Sequence, residues 1–565
     1  MINFVEFPNP SFVREKMRLL DGVWEFSFDG MTWQKINVPF CPQSQLSGIG
    51  FTGFIYKCFY KKSFNLDSFT DNIILNFGAV DYRTRVYVNE NFVGEHIGGY
   101  TQFSFDVTDF VKVGENIIEL RVSDDESNIP FGKQSYKEES FGCFYTRTTG
   151  IWQSVWLEFA PKNRIDNFKF YPNVEKCKVH VKSNVFGNGE LKCTVSYQGK
   201  KVGEWIGFVN NTSEFEIKLS EKHLWEIGNG RIYDVTFEYC GDVVKSYFGL
   251  REVQYIGRYV YVNSDKVFQK AVMDQGFYRE GIYTAPNAFV FREDIQRAID
   301  LGFNCIRLHQ KVFDPKYLYY CDVLGVMVWG EFPSWGIDYT TTDSLDSFKE
   351  QWRETIDRDF NHPSIVIWCP INEAWVDFFN KKPRVVEYID EIYNFTKEYD
   401  TMRPCVDTSG GFHGHKTDLY DFHCYEEPEK LLGYLEKFQE EDVLDVPLLY
   451  MDDNLRYEAG MPVSLSEFGG IAFGVTKEND FVNPVNDGVQ NTTSWGYGEK
   501  VLDGKKLIEK YKKLVEVIKK CNKLSGFCYT QLYDVEQEEN GFFTYDRKPK
   551  LAETEMKVIR EINSF

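Results

Sequence analysis

Between about residues 16 and 160 the chain alternates apolar and polar positions at period two. Phe77-Gly-Ala-Val-Asp81, Arg85-Val-Tyr-Val-Asn89, Phe103-Ser-Phe-Asp-Val107 and Ile117-Ile-Glu-Leu-Arg-Val122 each put every second side chain on one face. Such strands, closed by turn residues, predict a β-sandwich. A sparser set follows from about 165 to 250, including Lys178-Val-His-Val181, Lys192-Cys-Thr-Val-Ser196 and Tyr233-Asp-Val-Thr-Phe237, at a length suited to an immunoglobulin-like sandwich. After about residue 255 the pattern changes to short apolar strands alternating with helix-period stretches, as a parallel α/β fold requires. Eight strands are expected: Gln269–Met273, Cys305–His309, Val326–Glu331, Ile365–Asn372, Pro404–Thr408, Leu419–Tyr425, Val463–Glu467 and Gly526–Gln531. Between them Phe348, Trp352, Ile356 and Phe360 share one helix face, and Leu507, Ile508, Tyr511, Leu514, Val515 and Ile518 another. Eight such units predict a (β/α)8 barrel. The long loop from Ile471 to Gly498 reads either as an active-site flap or as an ornament.

Composition narrows the partners more than the fold. The 565 residues suit several domains, and 43% hydrophobic with 17% aromatic residues can fill several cores. A net charge of −21, spread along the chain, repels phosphate backbones and anionic lipid, so neither nucleic acid nor a membrane surface is expected as a partner. No apolar run reaches the ~18–20 residues of a membrane helix. Met1 to Met17 carries neither a basic leader nor an apolar stretch, so no signal peptide and a cytoplasmic location are expected. The 13 cysteines stand singly, as reduced and mostly buried thiols would. Oligomeric state stays open, a homo-oligomer included.

In a barrel of this kind, reactive groups sit where strands end at the C-terminal face. Two carboxylates fall there: Glu373, after Ile365-Val-Ile-Trp-Cys-Pro-Ile-Asn372, and Glu467, after Val463-Ser-Leu-Ser466 and before Phe468-Gly-Gly470. Glycoside hydrolysis needs two carboxyls flanking one bond, ~5–5.5 Å apart when configuration is retained and ~6.5–9.5 Å apart when it inverts. Asn372 is placed to hold a sugar hydroxyl beside the acid, or is a turn residue. The two glycines are expected to let substrate approach the backbone. His413-x-His415 and His423 invite a zinc reading, but no Cys or carboxylate spacing completes a known pattern, so neither metal nor cofactor is expected.

Three stretches resemble glycoside hydrolase family 2, the group containing β-galactosidases, β-glucuronidases and β-mannosidases. They are His362-Pro-Ser-Ile-Val-Ile-Trp-Cys-Pro-Ile-Asn372-Glu373, Ser464-Leu-Ser-Glu467-Phe-Gly-Gly470 and Thr149-Gly-Ile-Trp-Gln-Ser-Val-Trp-Leu157. The resemblance implies a jelly-roll β-sandwich over 1–162, an immunoglobulin-like β-sandwich over 163–252 and a (β/α)8 catalytic barrel over 253–565. It also implies that Glu373 is the acid/base, Glu467 the nucleophile, and the outcome retention. In Arg307-Leu-His309-Gln-Lys311 the family carries a His three residues after the Arg, where this chain has Gln310. Arg307 is expected to organise the nucleophile, and His309 and Lys311 to meet sugar hydroxyls. Tyr425 in Asp421-Phe-His423-Cys-Tyr425 resembles the family tyrosine that bonds the nucleophile, with His423 a neighbouring candidate; either is otherwise a core residue. Trp335, Trp375, Trp495, Tyr278 and Tyr529 are candidate platforms for a sugar's C–H face.

The departures concern substrate. The Asn-x-Lys with which family β-glucuronidases bind the uronate has no lysine counterpart at Asn540-Gly-Phe542. The Asp that large β-galactosidases place before Gly-Ile is replaced within Phe144-Tyr-Thr-Arg147. Glu331 is the one carboxylate placed near the third strand. An exo-acting retaining β-glycosidase acting on a carbohydrate glycoside is therefore expected. A β-galactoside leads, ahead of a β-galactofuranoside, an α-L-arabinofuranoside and a glucuronide. The rival is a carbohydrate-binding protein whose barrel has lost activity.

Overall fold

The computed structural model describes residues 4–69, 71–374, 385–447, 457–474 and 494–565. Near the N-terminus two antiparallel sheets enclose one apolar cluster. The larger runs Gln34–Val38, Gly22–Ser27, Lys57–Leu66, Gly114–Ser123, Arg83–Val88, Asn91–Ile97; the smaller runs Phe103–Asp106, Asn72–Phe77, Val155–Ala160, Met17–Leu19. The period-two pattern does what it predicts: Gly114–Ser123 buries Ile118, Leu120 and Val122, against Leu75 and Leu157 of the other sheet. Each such side chain contributes ~1.5–3 kcal/mol of burial.

The next sheet departs from the reading in one respect. Lys178–Val181 and Lys192–Ser196 are parts of a single strand, Lys178–Tyr197. An irregularity between Asn184 and Asn188 bends it without ending its ladder to Lys200–Lys218. Its first part pairs with Ile165–Asn173 and its last with Tyr233–Tyr239, so one strand serves both sides of a core holding Phe168, Val181, Cys193 and Phe237.

The barrel sheet is parallel, in the order Ile365–Cys369, Met327–Glu331, Cys305–Leu308, Gln269–Asp274, Leu524–Thr530, Val463–Gly469, Tyr420–Cys424. The expected fifth strand, Pro404–Thr408, is not a ladder strand. It touches the fourth strand through two isolated bridges, Trp368 to Cys405 and Asn372 to Ser409. On its other side, side chains replace a strand partner: the Cys405 amide donates to Asp418 Oδ2 at 2.8 Å and the Asp407 amide to Thr417 Oγ1 at 3.3 Å. Pro404 has no N–H to offer. Inside the barrel Met273, Cys305, Met327, Cys369 and Cys528 pack with Val253 and Val262 of a small antiparallel sheet, Val253–Ile256, Tyr259–Val262 and Asp265–Val267.

Helices cover the outside and are capped by sequence. Asn287 Oδ1 accepts from the Phe289 amide at the start of Ala288–Asp300, and Asp503 accepts from Lys505 at the start of Gly504–Lys520. The helix of the sixth crossover is Pro428–Glu441. The loop read as either a flap or an ornament falls mostly on 475–493, outside the described residues; its ends, Ile471–Phe473 and Tyr497–Val501, pair with each other.

The sandwich region is fastened to the barrel mouth. Phe131 and Gly132 amides donate to Trp335 O at 2.8 and 3.1 Å, and the Thr146 amide to Glu536 Oε1 at 3.0 Å. The loop from Asp124 to Thr149 thus forms one wall of the opening described next.

Candidate active site

Arg307, the third residue of Cys305–Leu308, is fully buried, and every bond it makes is at the mouth. Nε donates to Glu331 Oε2 at 2.7 Å, Nη1 to Glu467 Oε1 at 3.1 Å, and Nη2 to Asn372 Oδ1 at 2.7 Å. Burial opposes its charge, but Glu331 and Glu467 outweigh that and raise its pKa well above the ordinary value. One guanidinium therefore ties together three strand ends. Glu331 is correspondingly acidic: burial would raise its pKa, but Arg307 and His309 bring it down to about 2.

Glu467 lies within Val463–Gly469 and is 5% exposed. Its second oxygen accepts from Tyr425 OH at 2.5 Å, and that hydroxyl also lies 3.1 Å from Thr530 Oγ1. Tyr425 is stacked on Tyr497 at 3.5 Å between centroids. Glu373 reaches the opening differently, from four residues beyond Cys369 and with φ at +43°. A non-glycine residue in that region costs about 1–3 kcal/mol and persists only where the surroundings enforce it. Here the Glu373 amide donates to Ser409 O at 2.9 Å, fixing the turn.

His423 lies between the two acids. Its Nδ1 is 2.7 Å from Glu373 Oε1 and its Nε2 is 3.3 Å from Glu467 Oε1. Burial works against its charged form, yet Glu467 and Glu373 raise its pKa above the ordinary value. Glu373, His423 and Glu467 each offer a ligand atom within 4.8 Å of the other two. A divalent ion would need a lone pair from the imidazole, whereas both ring nitrogens point at carboxylates, so the trio fits a shared proton better than a metal. His413 bonds Asp407 Oδ1 at 2.6 Å and His415 bonds Asp390 Oδ2 at 2.6 Å, each tied to its own acid.

Asn372 is fully buried, with Oδ1 held by Arg307 while Nδ2 has no partner among the described residues. Trp335 is half-buried, and its indole N–H donates to Asn372 O at 3.2 Å. This amide donor and the indole beside two carboxylates form a polar cradle.

Several expected contacts lie elsewhere. Lys311 bonds Gly276 O and, at 2.8 Å, Tyr283 O, among Trp152, Tyr278, Tyr283 and Phe313; burial pulls its pKa down to about 7. Its donors are spent on the backbone, away from any sugar. His309 faces Glu331, with Nδ1 3.0 Å from Oε1, and is 2% exposed. Tyr529 is fully buried against Phe542 and Tyr511, a core residue. Trp495 is 3% exposed, with its indole N–H on Gly142 O, so it fastens a loop and offers no face. Tyr278 lies under the Arg547 guanidinium. Trp375 is outside the described residues. The glycines after Glu467 serve packing: a Cβ on Gly469 would meet Tyr529 at 2.4 Å and one on Gly470 would meet Tyr497 at 2.4 Å.

The strand-end rule had a further residue to offer in Glu331, which closes Met327–Glu331. Gln310, standing where the family carries a His, was given no role; its amide and Nε2 both donate to Glu331 Oε1, at 3.0 and 3.3 Å.

A parallel barrel with paired acids on strand ends, joined to β-sandwiches, defines a class of sugar-processing folds. Residues 53–161 match the model of the glycosyl hydrolases family 2 sugar binding domain, and residues 285–563 that of the family's TIM barrel domain. The chain belongs to glycosyl hydrolase family 2. It is 30% identical over 376 residues to a putative β-glucuronidase of Formosa agariphila, covering 61% of this chain and 43% of that protein. It is 26% identical over 348 residues to a β-galactosidase of Thermoanaerobacterium thermosulfurigenes, covering 57% and 48%. The matched stretches thus span less than half of these relatives. The solved β-D-glucuronidase of Dictyoglomus thermophilum superposes with a TM-score of 0.77 at 21% identity, covering 99% of each chain. At that identity the likeness speaks for the fold.

Proposed function

We propose that the chain is an exo-acting, retaining β-glycosidase. The observation that carries this is the spacing of Glu373 and Glu467, whose carboxylate oxygens approach within 4.8 Å across the mouth, near the ~5–5.5 Å of a retaining pair and short of the ~6.5–9.5 Å that admits an inverting water. Glu467 attacks the anomeric carbon while a protonated Glu373 gives its proton to the leaving oxygen. Water then attacks the glycosyl-enzyme, Glu373 takes a proton from it, and Glu467 departs as the carboxylate. Arg307 and Tyr425 hold Glu467 in line, and Asn372 Nδ2 donates to a sugar hydroxyl, a bond that strengthens as oxocarbenium character grows.

Among substrates we favour a β-galactoside, followed by β-galactofuranosides, α-L-arabinofuranosides and β-glucuronides. Relatives named for galactosides and for glucuronides both match this chain. The order is supported by what stands where family β-glucuronidases carry Asn-x-Lys: Asn540 is bonded to Glu538 and Gln531, with no lysine at the matching place. The test is turnover of activated aryl glycosides by Glu467→Gln and Glu373→Ala. Loss in both supports the assignment, and near-wild-type rates in both would remove it.

A further inference from the structure

The wall contributed by the sandwich region carries a cation with unused donors. Lys133 follows Gly132, where a Cβ would meet Gln310 O at 2.3 Å, so this loop lies directly on the Arg307–Lys311 segment. Its ammonium lies 3.9 Å from the Trp335 ring centroid, and Trp335 in turn bonds Asn372 beside Glu373. Lys133 is 7% exposed, and its ammonium has no hydrogen bond or ion pair to a described residue. Its carbonyl accepts from the Tyr145 amide at 2.8 Å, while Tyr145 OH donates to Glu538. Glu538, 3% exposed, also accepts from Asn540 Nδ2 at 2.9 Å. Tyr145 thus links the ammonium's loop to a further buried carboxylate at the same opening.

We propose that Lys133 and Glu538 form a hydroxyl clamp that selects a neutral glycone and turns uronides away. This rests on the reading of Glu373 and Glu467 as the reacting pair. Arg307 is consumed by Glu331, Glu467 and Asn372, and His423 by the two acids, so Lys133 is a cation at this opening whose donors are left for substrate. The ammonium can donate to one sugar hydroxyl while the carboxylate accepts from another, with no added charge. A sugar carboxylate at that place would join Glu538, Glu467 and Glu373 in a site of low dielectric, and like charges there are strongly unfavourable. Burial disfavours the Lys133 charge, yet Cys143, Glu538, Glu467 and Glu373 together raise its pKa, so the ammonium persists without a uronate to balance it.

The test uses 4-nitrophenyl β-galactoside, β-galactofuranoside, α-L-arabinofuranoside, β-glucuronide and β-galacturonide with the full chain. The best neutral substrate should exceed the better uronide by about fiftyfold or more in kcat/KM. Lys133→Met should lower the neutral value about tenfold, chiefly through KM, and Glu538→Gln should narrow the neutral-to-uronide gap at least about fivefold. Equal or better turnover of a uronide by the wild type overturns the clamp, as does Lys133→Met with unchanged kinetics. Should Lys133→Met fail to fold, titration of Glu467→Gln with the same glycosides decides: tighter neutral binding supports the clamp, and tighter or equal uronide binding overturns it. Undiminished turnover by Glu467→Gln on every glycoside counts against the reacting pair, and the binding preference is read separately.

Discussion

Glu467 and Glu373 face the same opening from settings of opposite character. Glu467 lies within a strand, is 5% exposed, and takes hydrogen bonds from Arg307 at 3.1 Å and Tyr425 at 2.5 Å. Both donors keep their protons at neutral pH: the guanidinium is raised by its acids despite burial, and burial with Glu467 pushes the Tyr425 phenol well above its ordinary value. Glu373 sits on a left-handed turn past its strand, with 16% of its side chain exposed and a titratable imidazole 2.7 Å away. One acid is clamped by donors that cannot give a proton up. The other has at 2.7 Å the imidazole that stands 3.3 Å from Glu467, a group that can. Two carboxylates a few ångströms apart thereby have environments suited to the different work proposed for them.

The sharpest test of that difference is the leaving group. Glu467→Gln should cut kcat by about 10⁴-fold or more on every aryl glycoside, since no nucleophile remains. Glu373→Ala should cost about 10²–10⁴-fold on an alkyl glycoside, which needs its acid, and far less on a dinitrophenyl glycoside, which does not. Equal losses on both leaving groups for Glu373→Ala would erase the distinction. Next in size is Glu331→Gln, which takes one partner from a fully buried Arg307. Urea denaturation should show a loss of about 3–5 kcal/mol, and an unchanged midpoint would mean that Arg307 does not depend on Glu331. Because the folded Glu331 pKa is depressed from 4.5 to about 2, its contribution is complete above 4.5 and fades as pH falls toward 2. Tyr425→Phe removes one charge-assisted bond from Glu467 and should lower kcat about 10- to 100-fold, with KM little changed. A drop no larger than twofold would show that Arg307 alone suffices.

Most groups legible in the sequence lie on strands, with Asn372 and Glu373 just past one. Arg307, Glu331, His423, Tyr425 and Glu467 fall at or beside strand ends, where a parallel barrel must put them, and short apolar runs locate such ends. Lys311 shows where the rule stops. The ladder strand ends at Leu308 and Gln310 adopts φ +51°, so the chain turns and Lys311 points back among aromatic rings. Pro404–Thr408 misled for another reason: apolar residues mark a buried segment, but side chains of Thr417 and Asp418 can satisfy amides as a strand would. Lys133 was illegible because Gly132-Lys133-Gln134 has the composition of a solvated loop. Only the folded chain shows that this loop, from another sheet system, closes over the barrel.

The smallest expected effect bears most directly on the asymmetry. If Glu373 is the acid, as proposed, His423 Nδ1 at 2.7 Å lets one proton be shared by the pair, and its loss would disable that acid. The apparent pKa in kcat/KM belongs to the pair and not to either residue. The His423 pKa is raised above 6.5 by Glu467 and Glu373 against the effect of burial, so the alkaline limb should lie above 6.5. The same shift means that the imidazolium's contribution to stability is complete below 6.5 and fades as pH rises through the elevated value. His423→Gln keeps a hydrogen-bonding side chain but no proton store. Its alkaline limb should move down by about one pH unit, while the rate on the acid side stays within a few-fold of wild type. A limb that does not move would place the proton elsewhere, and the difference between the two carboxylates would then rest on Arg307 and Tyr425 alone.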